Sequence, residues 1–493
     1  MPSRSSDAET AVRHLAERAF NRAAGAQRID GNRVELMVDA AAHFDAWLDA
    51  IGRARRVVML ENYIIRDDRI GRAFRDALVE RARAGVAVFV IRDWLGCLGQ
   101  SGRGFWHPLL EAGGQVRVHA PPQLTRPLAM LSRDHRKLLC VDDTVGFLSG
   151  VCISEKWLGR PDQGVPPWRD TGVALRGPAL GAMQRAFADN WRTLGPPLDE
   201  LLLSPPGNLA VAGDVGVRII ATRPSTAGVY RLDQTIAGMA RKSLWLTDAY
   251  FVGLSPYVQQ LAAAARDGVD VRLLVPGSSD VPVVAGFSRA GYRPLLEAGV
   301  RVFEWNGSML HAKTAVADGQ WARVGSSNLN IASWLGNCEL DVAIEDVDFA
   351  GIMQSRYLED LGNATEIVLS PRPRRRGRRV HHQSQRPPRP RRGGGSSGRA
   401  AAAGLRLANT VGAALTERRV LGSAESGPLG LGALVLLLLG VLTLFWPAVL
   451  GWPLALIALW LGLGLGARWL RLRERHRREQ ADDPDDDEDG DAC

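Results

Sequence analysis

Lysine is the scarce residue of this chain. Of 61 basic residues only four are lysines, at positions 137, 156, 242 and 313. Cysteine is sparse too, with five residues (97, 140, 152, 338 and 493) that are odd in number and lack CxxC spacing. That pattern excludes a disulfide framework and a cysteine zinc site, and it fits reduced thiols in a cytosol-facing protein. There is no Walker loop and no HExxH. The formal GxGxxG and GxSxG matches both fall in Gly393 to Gly398, within low-complexity sequence that no strand precedes, and are set aside. The N-terminus is polar from Met1 to Asp7 and then patterned as an amphipathic helix from Ala8 to Ala24. With no apolar h-region, no signal peptide is expected.

What the chain does contain is a short pattern used twice, His-x-Lys followed by Asp after four further residues. The first copy is His135, Lys137 and Asp142; the second is His311, Lys313 and Asp318. Two of the four lysines therefore sit in the motif. In an arginine-dominated chain this points to a requirement for a compact ammonium rather than a planar fork. Seven positions past each Asp lies a small-residue tract, Ser149-Gly150-Val151-Cys152 and Gly325-Ser326-Ser327-Asn328. Paired His/Lys sites suit transfer of a phosphodiester: one imidazole attacks phosphorus and its twin protonates the leaving oxygen. The lysines would hold the phosphate charge, with Ser326 and Asn328 as candidate phosphate contacts. No metal cluster with ligand spacing accompanies the motifs, so neither metal nor cofactor is expected.

The frame around the motifs is duplicated. Val57 to Ile64 matches Leu244 to Phe251, each an apolar strand carrying acid-x-Tyr, and Pro108 to Gly113 repeats as Pro294 to Gly299. Strands alternating with helical patterns predict α/β layers, here as two halves in a pseudo-twofold pair. The first half has an insertion around Pro121 to Met130, apolar and proline-rich, which reads as a lid, a lipid-contacting loop or plain surface. The residues after each motif Lys read as strand, so His135 and Lys137, and likewise His311 and Lys313, should project together. Asp142 and Asp318 fall on the opposite parity, in the turn, and although grouped with the catalytic set they should act mostly structurally.

Charge and hydropathy divide the rest. Pro371 to Arg399 holds eleven Arg among Pro, Gly, Ser and Gln, and Asp482 to Asp491 holds eight acidic residues. Both read as disordered segments. With them set aside the body is close to neutral, which argues against a nucleic-acid groove. Gly427 to Ala467 carries no charge for 41 residues and is interrupted by Trp446-Pro447 and Gly451-Trp452-Pro453. It reads as two membrane spans joined by a tight turn, with flanking arginines keeping both ends cytoplasmic. The expected organisation is an N-terminal helix (1–30), a first half (31–194), a linker (195–214), a second half (215–367), a basic linker (368–400), a juxtamembrane segment (401–426), two spans (427–467) and a basic then acidic tail (468–493).

The paired HxKxxxxD motif resembles that of the phospholipase D superfamily, and the chain is most similar to bacterial cardiolipin synthases of the subtype without N-terminal spans. The likeness runs over roughly Gly31 to Ile367 and includes Trp168-Arg169-Asp170-Thr171, Asp248-Ala249-Tyr250-Phe251 and Asn337-Cys338-Glu339-Leu340. It implies two phospholipase D-like α/β halves with the active site between them and no metal. It also implies a nucleophile at His135 and a general acid/base at His311, an assignment that the motif pattern alone does not make. Glu339, and by looser analogy Asp170, would orient the imidazoles. The family usually has Asn where this chain has Cys152. The implied reaction makes cardiolipin from phosphatidylglycerol and a second phospholipid at the bacterial inner membrane, the catalytic domain facing the cytoplasm. The same residues would serve hydrolysis to phosphatidic acid. A nuclease of the superfamily is the remaining alternative, but eleven Arg beside a membrane span more naturally meet anionic lipid.

Overall fold

The computed structural model describes residues 16–122, 132–205 and 207–369, together with Trp452 and Leu459. The chain divides into two units, one comprising Met1–His119 with Arg133–Glu425 and the other Ala120–Ser132 with Ser426–Cys493. Of the second unit the description covers residues 120–122 and 132 and the helical Trp452 and Leu459. Among the described residues no helix is long and apolar enough to cross a membrane. Apart from Trp452 and Leu459, the expected spans lie outside the described residues, as do the arginine-rich segment, the acidic tail and most of the proline-rich insertion.

The first unit repeats one succession of elements. The first half runs β1 (Ile29–Val38), α1 (Asp39–Arg53), β2 (Val57–Asn62), α2 (Arg69–Arg83), β3 (Ala87–Asp93), α3 (Arg103–Glu111) and β4 (Gln115–His119). It continues with β5 (Lys137–Val141), β6 (Val145–Ser149), β7 (Thr171–Arg176) and α4 (Leu180–Thr193). The second half runs β8 (Val215–Thr222), α5 (Gly228–Met239), β9 (Ser243–Thr247), α6 (Ser255–Arg266), β10 (Asp270–Pro276), α7 (Pro282–Glu297) and β11 (Arg301–Trp305). It closes with β12 (Thr314–Ala317), β13 (Trp321–Gly325), β14 (Glu339–Glu345), α8 (Val347–Leu361) and an added edge strand, β15 (Ala364–Ile367).

Residue pattern explains the elements. In α1 the buried positions Ala40, Phe44, Trp47 and Ile51 recur at helical spacing, so one stripe faces the sheet. Helix α2 starts where Asp68 accepts a hydrogen bond from Gly71 N at 2.9 Å, satisfying a donor that the first turn leaves open. Strand β2 is buried at every position, as a central strand covered on both faces must be.

The fifteen strands among the described residues join one sheet in the order β15-β11-β10-β9-β12-β13-β14-β8-β1-β7-β6-β5-β2-β3-β4. Read outward from the β1/β8 junction, the two halves have the same order. Within each half, three strands are parallel (β2-β3-β4 and β9-β10-β11) and the motif hairpin adds antiparallel strands beside them. One apolar core continues across the junction, bringing Leu175, Phe187 and Trp191 together with Val217, Val342 and Phe349. Burying a side chain of this size stabilises the fold by roughly 1.5–3 kcal/mol, so separating the halves would be costly. The helical segment at 16–24 docks on the second half, where Arg218 Nη2 donates to Glu17 at 2.6 Å and Nε to Asn21 at 3.0 Å.

Candidate active site

Each motif lies where a motif strand begins beside the C-terminal end of a parallel strand: Lys137 pairs with Asn62 of β2, and Thr314 with Thr247 of β9. Open α/β sheets bind ligands at such ends. Here the two ends are stitched to each other. His135 N donates to Cys338 O at 2.9 Å and Cys338 N to Arg133 O at 2.8 Å; His311 N donates to Arg169 O at 2.7 Å and Arg169 N to Met309 O at 2.8 Å. The residue before each carboxylate is thus tied to the backbone at the opposite half's histidine.

The side chains then cross. His135 Nδ1 lies 2.9 Å from Glu339 Oε2, and His311 Nδ1 lies 2.7 Å from Asp170 Oδ2. Each half supplies the imidazole for one pair and the carboxylate for the other. With the Nδ1–H donated to carboxylate, Nε2 of each ring is left for chemistry.

The histidines precede the strands instead of lying on them, since β5 begins at Lys137 and β12 at Thr314. Each lysine folds back onto its own motif. Lys137 Nζ donates to His135 O at 2.5 Å; Lys313 Nζ donates to His311 O and sits 3.0 Å from His311 Nδ1. Both lysines and both carboxylates are fully buried.

That burial sets the electrostatics. Burial pushes the His311 imidazole down to about 4; the Lys313 charge adds to this and Asp170 opposes it. His135 is lowered by burial too, against the pull of Glu339. The Lys313 ammonium is pushed down to about 8 by burial, with Asp170 working the other way. For Asp170 burial favours the neutral acid, but His311, Lys313 and the Thr171 N–H together hold it below the usual carboxylate range. Glu339 is lowered by the same balance, burial being outweighed by His135 and Lys137. Near neutral pH the site therefore holds neutral imidazoles beside ionised carboxylates.

The two carboxylates are braced differently. Glu339 Oε2 accepts from Ser326 Oγ at 2.6 Å and Oε1 from Asn337 Nδ2 at 3.2 Å. Asp170 Oδ2 accepts from Trp157 Nε1 at 3.1 Å and Oδ1 from Thr171 N at 2.8 Å. Ser326, expected on a phosphate oxygen, is committed elsewhere: its hydroxyl donates to Glu339 and accepts from Leu340 N at 2.9 Å. Asn328 is buried in the same tract, its amide oxygen without a hydrogen-bond partner in the structure. Cys152 stands at the matching place in the first half, within the apolar core, its thiol pushed up to about 11 by burial.

Asp142 and Asp318 lie at the other end of β5 and β12, away from the imidazoles. Asp142 accepts from the backbone N–H groups of Arg55, Arg56 and Val57 at 2.8–2.9 Å. Asp318 accepts from those of Arg241, Lys242 and Ser243 at 2.7–3.2 Å. Both adopt positive φ, 49° and 53°, a conformation Asp tolerates better than most residues. They tie the motif hairpin to the start of the neighbouring strand and do not meet the reacting groups.

Several residues at the site were not assigned from sequence. The Tyr63 and Tyr250 rings lie 5.0 Å and 5.9 Å from the His135 and His311 rings. The duplicated acid-x-Tyr strands carried that signal. Trp157 and Trp168 lie 5.4 Å and 5.6 Å from His311, and nothing in their spacing announced it. Arg169 and Arg136 are buried anchors. Arg169 forks onto both oxygens of Asp360 at 2.8 Å, and Arg136 Nε donates to Glu339 O at 3.1 Å.

Comparison with known proteins agrees with this geometry. Residues 234–361 match the family described as cardiolipin synthase, PLD-like domain. The chain is 33% identical over 359 residues to cardiolipin synthase A of Pseudomonas aeruginosa, covering 71% of this chain and 70% of that protein. It is 32% identical over 346 residues to the cardiolipin synthase of Alkalihalophilus pseudofirmus, covering 69% and 68%. Among solved structures, the phosphatidylserine synthase of Haemophilus influenzae shares the fold with a TM-score of 0.54 at 13% identity, over 71% of this chain and 91% of that one. The chain thus belongs to the cardiolipin synthases of the phospholipase D superfamily and is a phosphatidyltransferase of the phospholipase D type.

Proposed function

We propose that the protein makes cardiolipin by moving the phosphatidyl group of phosphatidylglycerol onto a hydroxyl of a second phospholipid, through a phosphohistidine. The observation that carries this is the crossed pair of histidine–carboxylate contacts, His135–Glu339 and His311–Asp170, above two buried lysines. In the first step His135 Nε2 attacks phosphorus, the bond from phosphorus to the glycerol oxygen breaks, and His311 Nε2 gives that oxygen its proton. In the second, His311 takes the proton of the acceptor hydroxyl, its oxygen attacks phosphorus, and the phosphorus–nitrogen bond to His135 breaks. Lys137 and Lys313 offset the phosphate charge through both steps. The charge of bound phosphodiester would also raise His311 from its low resting value, so that it arrives protonated for the first step.

The test is product analysis with the full-length protein. Phosphatidylglycerol should give cardiolipin and glycerol, with phosphatidic acid as a minor product where water replaces the acceptor. Phosphatidic acid as the sole product would establish hydrolysis instead, and DNA cleavage without lipid turnover would overturn the lipid assignment.

Both substrates of the proposed transfer are lipids, so the catalytic body has to work against a membrane surface. For this chain we place the attachment in the two apolar stretches within 427–467, with the arginines of 371–399 against anionic headgroups. A reporter fused after Cys493 should then read out as cytosolic, and a periplasmic signal would sink the two-span arrangement.

A further inference from the structure

A third lysine stands at the site, on one side only. Lys156 follows the first small-residue tract, and its Nζ lies 3.2 Å from Asp280 Oδ2 of the second half. The same Nζ sits 4.3 Å from the centre of the Trp168 ring, which is itself 5.6 Å from the His311 ring. Those two distances place the ammonium within about 10 Å of the His311 ring centre. Asp280 Oδ1 accepts from Tyr250 Oη at 2.7 Å, and the Tyr250 ring also borders His311. Unlike Lys137 and Lys313, Lys156 keeps 35% of its side chain exposed.

The second half has no counterpart. Strands β6 and β13 end at Ser149 and Gly325, which pair with Gly172 and Asp341. Seven residues past these ends stand Lys156 and Ala332; four residues before the paired positions stand Trp168 and Asn337. A lysine resting on an indole therefore borders His311; among the described residues no such pair recurs beside His135, where the nearby cation outside the motif is Arg133, held by Asp93 at 3.2 Å with 12% of its side chain exposed.

That asymmetry has a use in the second step of the reaction. A glycerol-linked acceptor carries its own phosphodiester, and the path from its free hydroxyl oxygen to that phosphorus spans roughly 6 Å of single bonds. When the hydroxyl gives its proton to His311, this second phosphate must lie within that radius of the reacting oxygen. The partly exposed ammonium beside His311 can reach it by exchanging the Asp280 carboxylate for phosphate oxygen. Water and simple alcohols bring no such charge.

Resting on the function proposed above, we infer that Lys156 selects the acceptor: its ammonium binds the phosphodiester of the incoming phospholipid and favours it over water and neutral alcohols. The test uses full-length protein in mixed micelles of phosphatidylglycerol with ethanol added, and reads the ratio of cardiolipin to phosphatidylethanol by mass spectrometry. Both products leave the same phosphatidyl-enzyme, so the ratio does not depend on how fast that intermediate forms. Lys156→Met should lower the ratio by roughly 10- to 100-fold, the value of one charge-assisted contact. Lys156→Arg, which keeps the charge, should hold most of the wild-type ratio. If Lys156→Met lowers both products alike, or if Arg loses the ratio as fully as Met, Lys156 is a clamp between the halves and the inference fails. Wild-type protein that yields phosphatidylethanol but no cardiolipin fails the proposed function itself, a result visible before any variant is compared.

Discussion

Replacing Asp170 by Asn should separate the two steps of the proposed reaction. Asp170 Oδ1 accepts from Thr171 N at 2.8 Å and Oδ2 from Trp157 Nε1 at 3.1 Å, so Asn cannot satisfy both donors; with its oxygen kept on the backbone N–H, its NH2 faces Trp157 and His311 Nδ1. The ring must then accept at Nδ1 and carry its proton on Nε2. A neutral ring in that tautomer cannot take a proton from an acceptor hydroxyl, and it is a poor acid. The lost charge matters too. Two unit charges about 4 Å apart at an effective dielectric of about 20 interact by roughly 4 kcal/mol, about a thousandfold in rate. The assay uses a phosphatidyl donor with a p-nitrophenyl leaving group, which departs without a proton. Asp170→Asn should release a burst of about one nitrophenolate per site and then turn over roughly 10³-fold slower than wild type, because the acceptor step still needs His311. Glu339→Gln acts on His135 and should show no burst. The mirror result, a burst in Glu339→Gln alone, would exchange the roles of the two histidines. Losses under about tenfold in both variants would refute the idea that these carboxylates set the imidazoles.

Three further outcomes follow from the same contacts. Asp142→Ala strips the acceptor from three backbone N–H groups and should lower stability by about 2–4 kcal/mol, seen as an earlier thermal melt, while activity measured well below the melt stays near wild type. Ser326→Ala leaves Leu340 N without its hydroxyl partner and loosens Glu339; kcat should fall roughly tenfold, with a larger effect on burst rate than on partition among acceptors. Because burial lowers the Lys313 ammonium to about 8, kcat/KM should fall as pH rises through that value, the charge being lost on the alkaline side. A profile flat to pH 10 would show that this charge is not needed.

The motifs, the duplication and the alternation of strands with helices could be read from the chain because each is a local pattern. His, Lys and Asp stand at fixed spacing, and apolar residues recur with the period of their element. The turn role of Asp142 and Asp318 was legible for the same reason, since strand parity puts them off the face of the motif lysines. The partners of the imidazoles were not fixed by any local pattern. Glu339 is 204 residues from His135, and Asp170 is 141 from His311; resemblance named the two acids, but no spacing said that each serves the histidine of the opposite half. Ser326 looked like a phosphate ligand because a hydroxyl in a small-residue tract usually has a free donor. Only the approach of β14 shows that this one is taken up by Glu339. Trp157, Trp168 and Lys156 look like ordinary residues of an irregular loop until the halves meet. Periodicity records which face of an element is buried; the tertiary structure alone decides what lies opposite, and at this site both histidine–carboxylate contacts cross from one half to the other.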